Sequence, residues 1–389
     1  MINIFMKKLI RLLSFVLIIS YNISQSNSNF WDIQRKGANT LDVKINEETI
    51  IDAKKYNIQY LRISVDKFPT KKRDFLIGNC DNYTGLVEED LMYLKNILNN
   101  MKKHNMPVVL TMLSLPGVRW AQNNKDKNDF RIYLDGKYVE QAAKFWHDLA
   151  LELKDYDNIV AYNILNEPRY ETLHDIEECS KKHQDKLLTI YEKIISKIRE
   201  VDKDKTIILD LSNNGDPECF EYLEPVKDKN IIYAFHMYEP MAYTHSYARW
   251  MKNKSIQTYP DINKNWNKKY IKSYLSVVSE WQNKYNIPAT KIAATEFGAN
   301  RLNKGVDLYF NDLIEIFNEN KWHWAFYAFQ EEWQLMDYQL GNKKLTWNYW
   351  KEHEKCEKIK FKTENCQNFN RKYYIKNKIF DTLLHHLKN

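Results

Sequence analysis

Two glutamates stand out for their position. Glu167 lies in Asn166-Glu167-Pro168 and Glu296 in Thr295-Glu296-Phe297-Gly298, each closing a short β-rich run. Arg62 occupies a similar run, Leu61-Arg62-Ile63-Ser64, while His236 and Tyr238 flank Met237 at the end of another. Trp333 follows the last such run in Glu331-Glu332-Trp333. Taken singly, each has an ordinary explanation: a surface acid, an ion-paired arginine, a hydrogen-bonded interior histidine, a tryptophan packed under a loop. Their coincidence at successive strand ends is harder to explain that way. Two carboxylates facing one another suit acid–base or nucleophilic chemistry, one protonated and one ionised, when their surroundings separate their pKa values.

Such a set needs a frame that brings distant strand ends together. Beyond residue 30, strands are predicted at Arg35–Asn39, Tyr60–Val65, Pro107–Leu113, Val160–Asn166, Thr206–Leu211, Ile231–His236, Lys291–Glu296 and Trp324–Phe329. Amphipathic helices are predicted between them at Glu88–His104, Tyr138–Lys154, His183–Arg199, Lys268–Tyr285 and Val306–Asn320. In the first, Leu91, Leu94, Leu98 and Met101 fall on one face at helical spacing. Alternating strand and helix is the pattern of a parallel sheet, and eight such units suit an α/β fold of the (β/α)8 TIM-barrel type. In that architecture chemistry gathers at the C-terminal strand ends. Ile379–Leu387 reads as a closing helix, whereas 350–377, rich in Lys, Glu and Asn, has no clear pattern.

The ordered set of motifs resembles glycoside hydrolase family 5, in the clan of (β/α)8 retaining glycosidases. The likeness runs from Lys36-Gly37-Ala38-Asn39 to Asp337-Tyr338-Gln339-Leu340-Gly341, most of the chain. It implies that Glu167 is the general acid/base and Glu296 the nucleophile of a double displacement. It further implies that Arg62 holds Glu296 ionised, that Tyr238 orients it, and that Asn166 meets the 2-hydroxyl of the sugar being cleaved. His236 would line the same subsite, and Trp333 would be a flat platform for a pyranose ring. One departure is clear. Where many members carry a histidine before Pro-Gly after strand 3, this chain has Leu113, although Pro116-Gly117 is kept.

The substrate implied is a polysaccharide, most readily a β-1,4-glucan, with mannan as the alternative enzyme reading. A catalytically silent carbohydrate-binding barrel is the alternative of another class. Trp31, Trp120, Tyr243, Trp250 and Trp333 are candidate sugar-stacking aromatics. No cofactor is expected. No metal is expected either, since the sequence contains no CxxC, His-x-His or HExxH.

Composition narrows the rest. The chain has 389 residues, 14% of them aromatic, with 11 Trp and 26 Tyr but only 9 Gly. Those glycines form neither GxGxxG nor GxxxxGK[ST], which removes the common phosphate cradles. The basic head Lys7, Lys8 and Arg11 precedes the apolar run 12–19, as in a secretory signal over residues 1–26. Its loss takes three cations from a net charge of +7, leaving +4, too mild for a nucleic-acid partner. The expected mature chain, 27–389, is one catalytic domain, secreted or periplasmic, monomeric and without stable membrane insertion. Export makes the five cysteines disulfide candidates, with Cys356 and Cys366 close enough to pair.

Overall fold

Eight short parallel strands close on themselves in sequence order. They are β1 (Lys36–Asn39), β2 (Leu61–Ser64), β3 (Val108–Thr111), β4 (Ile159–Asn163), β5 (Thr206–Asp210), β6 (Ile231–Met237), β7 (Ile292–Phe297) and β8 (His323–Phe326). The protein is seen here in a computed structural model that describes residues 29–40, 45–64, 74–119, 121–125, 127–170, 179–248, 258–330, 335–358 and 369–389. β8 returns to β1 through Lys36 opposite Trp324 and Ala38 opposite Phe326, so among these strands no edge is left open. Runs such as Val-Val-Leu-Thr in β3 and Thr-Ile-Ile-Leu-Asp in β5 are buried along their whole length, as strands covered on both faces must be.

Helices cover the barrel. We label those of seven residues or more α1 (Glu47–Lys55), α2 (Glu88–Lys103), α3 (Gly136–Leu153), α4 (Lys181–Val201), α5 (Lys268–Tyr274), α6 (Ser276–Tyr285), α7 (Val306–Glu319), α8 (Trp347–Lys358) and α9 (Lys378–Lys388). Leu91, Leu94, Leu98 and Met101 of α2 are buried as their spacing predicts. Side-chain caps mark several starts: Asn46 accepts from the Thr49 N–H, and Ser180 from the His183 N–H. The single helix expected over Lys268–Tyr285 is two. Buried Leu275 adopts φ −83°, ψ −2°, a bridge-region conformation that interrupts the regular turn. α9 closes the barrel on the side away from the strand C-termini. Lys36 at the start of β1 donates from Nζ to the His386 carbonyl at 2.8 Å, and His386 Nε2 meets Asn311 Oδ1 of α7 at 3.1 Å.

Much of the aromatic excess lies in the core. Trp146, Trp266, Trp322 and Trp324 are among the largest fully buried side chains. Tyr243, expected as a sugar platform, is instead fully buried against Tyr259, Trp266 and Tyr309, with its hydroxyl donating to the Lys304 carbonyl. Trp31 is likewise buried, which removes it from that role.

Contacts group the residues from Arg35 onward into one compact unit, from which the described residues 29–34 are set apart. Among these, Phe30–Asp32 forms a 3-10 turn, and the Asn29 side chain accepts from the Trp31 N–H. The expected signal segment, Trp120, Trp250, Trp333 and Cys366 lie outside the described residues. Among the described residues no helix is long and apolar enough to cross a membrane. Cys179 and Cys219 form a disulfide, and Cys356 is also disulfide-bonded.

Candidate active site

The barrel mouth is built around one buried cation. Arg62 on β2 has no exposed side-chain surface. Its Nη1 donates to Glu296 Oε1 at 2.5 Å and to Asn39 Oδ1 at 2.9 Å. Nη2 reaches Asn166 Oδ1 at 2.6 Å and Asn163 Oδ1 at 2.7 Å, while Nε also donates to Asn163 Oδ1 at 3.0 Å. Asp210 Oδ2 lies 3.5 Å from Nη2. A planar guanidinium with five donors can satisfy acceptors from four strands at once, which an ammonium cannot. Burial opposes its charge, but Glu296 and Asp210 reverse that penalty and hold its pKa above the ordinary value.

Glu296, near the end of β7, accepts on its other oxygen from the Tyr238 hydroxyl at 3.0 Å. Both carboxylate oxygens are therefore fixed, one by a charge and one by a neutral donor. Burial and the nearby Glu296 and Glu167 carboxylates push the Tyr238 phenol well above its usual range, so Tyr238 remains a hydrogen-bond donor.

Glu167 sits just past β4 with φ +47°, a left-handed conformation that costs a non-glycine residue about 1–2 kcal/mol. Two bonds hold the turn: the Asn166 N–H donates to the Met112 carbonyl at 2.8 Å, and the Glu167 N–H to Asp210 Oδ2 at 3.2 Å. The side chain is 17% exposed, open enough to meet a ligand, and its Oε1 lies 2.8 Å from His236 Nδ1. Burial is the chief cause that raises the Glu167 pKa. The Glu296 charge adds to it, and the His236 bond works the other way.

One oxygen of Glu167, one of Glu296 and one ring nitrogen of His236 all lie within 4.8 Å of one another. Three such ligand atoms could also receive a metal ion, but the same imidazole has its pKa raised to about 10, where a ligand nitrogen would have to shed its proton. Burial alone would lower that value, and the carboxylates of Glu296, Asp210 and Glu167 outweigh it.

Six of the seven predicted site residues thus converge: Glu167, Glu296, Arg62, Asn166, His236 and Tyr238. The seventh, Trp333, is outside the described residues. Leu113 is buried, an apolar side chain where an imidazole was looked for. Four inward polar residues were not anticipated: Asn39, Thr111, Asn163 and Asp210. Asn39 Nδ2 donates to the Thr295 carbonyl at 2.8 Å beside the Glu296 backbone, and Thr111 Oγ1 donates to Asn163 Oδ1 at 2.9 Å. Asn39 ends a predicted strand and Asp210 stands one residue short of the end of another, the one signal by which they could have been found.

Loops around the mouth are tied by charge. Arg119, after β3, donates to Asp74 at 3.1 Å and to Asp81 at 2.8 Å, and Arg131 bonds the same Asp81 at 2.6 Å and Asp129 at 2.8 Å.

A closed (β/α)8 barrel with two facing carboxylates at its C-terminal end defines a class of barrel hydrolase-like sites. Residues 22–332 match the family model described as cellulase (glycosyl hydrolase family 5), and the chain belongs to that family. It is 26% identical over 212 residues to endoglucanase C of Acetivibrio thermocellus, covering 54% of this chain and 55% of that protein. It is 23% identical over the same length to cellodextrinase A of Ruminococcus flavefaciens, covering 54% of this chain and 56% of the relative. The chain thus spans about half the length of these relatives. Among solved structures, a hyperthermophilic endo-β-1,4-glucanase in complex with substrate superposes with a TM-score of 0.59 at 20% identity, covering 79% of this chain and 94% of that one. Thermotoga maritima Cel5A in complex with mannotriose gives 0.60 at 19%, covering 76% and 90%. At these identities the likeness carries the fold.

Proposed function

We propose that the protein is a retaining β-glycosidase that cleaves a polysaccharide, with β-1,4-glucan as its principal substrate. The observation that carries this reading is the approach of Glu167 and Glu296 oxygens to within 4.8 Å. Retaining enzymes hold their two carboxyl groups about 5–5.5 Å apart, whereas inverting ones leave about 6.5–9.5 Å for a water between them. The opposed environments of the pair support the assignment of roles. Glu167, raised by burial, is the proton donor, and Glu296, bonded to the Arg62 cation, is the ionised nucleophile.

In the first step a Glu296 oxygen bonds to the anomeric carbon while the glycosidic C–O bond breaks. The leaving oxygen takes the Glu167 proton. In the second, a water oxygen bonds to the same carbon, its proton passes to the Glu167 carboxylate, and the Glu296–sugar bond breaks. Asn166 accepts from Arg62 through Oδ1, which leaves its amide hydrogens for the sugar 2-hydroxyl. That bond strengthens as the anomeric carbon gains positive character, so it aids rate more than binding. Trp333 is assigned the sugar platform through its place after β8 in the family pattern.

Endoglucanase and cellodextrinase relatives favour a β-glucan, and the neighbour bound to mannotriose makes mannan the competing substrate. The basic head and apolar run at the N-terminus support export. The test is a panel of soluble glucans, mannans and xylans scored for new reducing ends, with NMR of the first-formed anomer. Retention on a β-glucan is expected. Glu296→Gln should lower turnover by at least about 10³-fold while sugar binding and fold persist. Normal activity in that variant would remove the nucleophile assignment, and binding without hydrolysis of any glycan would favour a silent barrel.

A further inference from the structure

Asp210 ends β5 and is fully buried, yet neither step above uses it. Its Oδ2 is the meeting point of the site: 3.3 Å from His236 Nε2, 3.2 Å from the Glu167 N–H, and 3.5 Å from Arg62 Nη2. Its Oδ1 accepts from Asn163 Nδ2 at 3.1 Å. Among the described residues, the other charged group within bonding distance of the His236 ring is Glu167, at Nδ1, while Glu296 Oε2 stands 3.7 Å from the same nitrogen. The imidazole is thus held between carboxylates on both edges, from β4, β5 and β7, with Arg62 of β2 behind two of them.

We infer that Asp210 is a positioning residue for the acid/base: together with the Glu296 carboxylate, its charge keeps His236 an imidazolium, and that imidazolium fixes where the Glu167 proton sits. This rests on the acid/base role proposed for Glu167. The Nε2–Oδ2 approach does not satisfy hydrogen-bond geometry, so Asp210 acts on the ring mainly as a charge. With Nδ1 protonated, the ring donates to Glu167 Oε1, and the acid proton must reside on Oε2, the oxygen left for the leaving group. After that proton is given up, the same imidazolium stabilises the new carboxylate until water is deprotonated. His236 keeps its own proton throughout.

The fold enforces this placement. Ser212–Gly215, directly after Asp210, runs through left-handed backbone at Asn213 (φ 52°) and Asn214 (φ 60°) and at Gly215 (φ 77°). A Cβ on Gly215 would stand 3.1 Å from the His236 ring, so the glycine lets this turn lie flat against the imidazole. Ring, turn and carboxylate form one packed unit.

The test replaces the charge and keeps the shape. In Asp210→Asn, the His236 ring titration followed by ¹⁵N NMR should move down from about 10 by at least about one pH unit. A purely structural role for Asp210 predicts an unmoved titration in this isosteric variant. An unmoved titration would overturn the inference, whatever the variant's rate. Should Asp210→Asn fail to fold, Asp210→Ser is titrated in its place: a ring titration lowered by at least about one pH unit from the wild type sustains the inference, and an unmoved one overturns it. The ring titration is read without substrate, so a protein that hydrolyses no glycan would sink the functional proposal and leave this measurement standing.

Discussion

Arg62 spends its whole hydrogen-bonding capacity inside the protein, on Glu296, Asn39, Asn163, Asn166 and, at longer range, Asp210. Its removal would take from Glu296 and Asp210 the buried guanidinium that both face, leaving the His236 ring alone to balance them. Breaking a buried ion pair at one partner costs about 3–5 kcal/mol, far more than the pair is worth against an apolar replacement. Arg62→Ala is therefore expected to lose about that much unfolding free energy in urea at neutral pH. Arg62→Lys should recover little of it, because one ammonium cannot span Nε, Nη1 and Nη2 positions together. A loss below about 1 kcal/mol in Arg62→Ala would mean that the carboxylates find water or a proton instead. The pair Glu167 and Glu296 was legible in the sequence because each sits in a short motif that closes a strand. Asn163 and Asp210 were not. Asn163 falls inside the predicted strand Val160–Asn166, and a strand covered on both faces shows no alternation to tell which side chains enter the barrel. Asp210 ends β5 without a neighbouring motif, and its meaning comes from His236 and Arg62, which only closure of the barrel brings to it.

At the scale of elements, all eight strands were predicted within a few residues of where they lie, since β-branched runs between amphipathic stretches leave few alternatives. Helices were less evenly legible. α1 was missed: Glu47–Lys55 is nine residues long and strongly polar, and only Thr49, Ile50 and Ala53 are buried. Its start depends on the Asn46 cap, a one-residue signal. The strand ends themselves are set by close backbone approach. Gly298 follows Glu296 by two residues, and a Cβ there would fall 2.6 Å from the Tyr327 carbonyl oxygen and 2.8 Å from the Tyr338 hydroxyl. Tyr338 is itself pinned, donating to Tyr327 O at 2.7 Å and accepting from the Ala299 N–H at 3.0 Å. Neither neighbour can yield without moving β7 against β8. Gly298→Ala should accordingly destabilise the fold by about 1–3 kcal/mol, the usual cost of overpacking. It should also lower kcat more than it raises KM, since the strand displaced is the one that carries Glu296. Unchanged kcat together with a lowered urea midpoint would show that the strain is absorbed past Gly298, away from the carboxylate.

At the scale of the whole molecule, a cross-link that the sequence allowed without specifying ties two βα connections together. Five cysteines and an export-like leader made disulfides expected, and proximity pointed to Cys356 and Cys366. A bridge joins Cys179 to Cys219, across 40 residues of sequence, and Cys356 is disulfide-bonded too, its expected partner Cys366 lying outside the described residues. Nothing in the spacing marks the Cys179–Cys219 pair. It becomes obvious only in the barrel, where successive βα connections lie side by side: Cys179 precedes α4, and Cys219 lies in the 3-10 turn Pro217–Tyr222 after β5. The bridge therefore fastens the connection that follows Glu167 to the one that follows Asp210. Ser212 extends the same junction, bonding Gln184 of α4 at 3.0 Å and approaching Cys219 Sγ at 3.4 Å. Closing a loop of this length restricts the unfolded chain and contributes about 2–4 kcal/mol. Cys179→Ser should lose that amount in urea under oxidising conditions, with hydrolysis falling only where the fold is lost, because neither sulfur touches the carboxylates. If the variant keeps wild-type stability, the packing of α3, α4 and the barrel already fixes this junction. If it keeps stability but loses turnover, the bridge instead sets the geometry of the Glu167 turn, whose left-handed backbone has the least freedom to adjust.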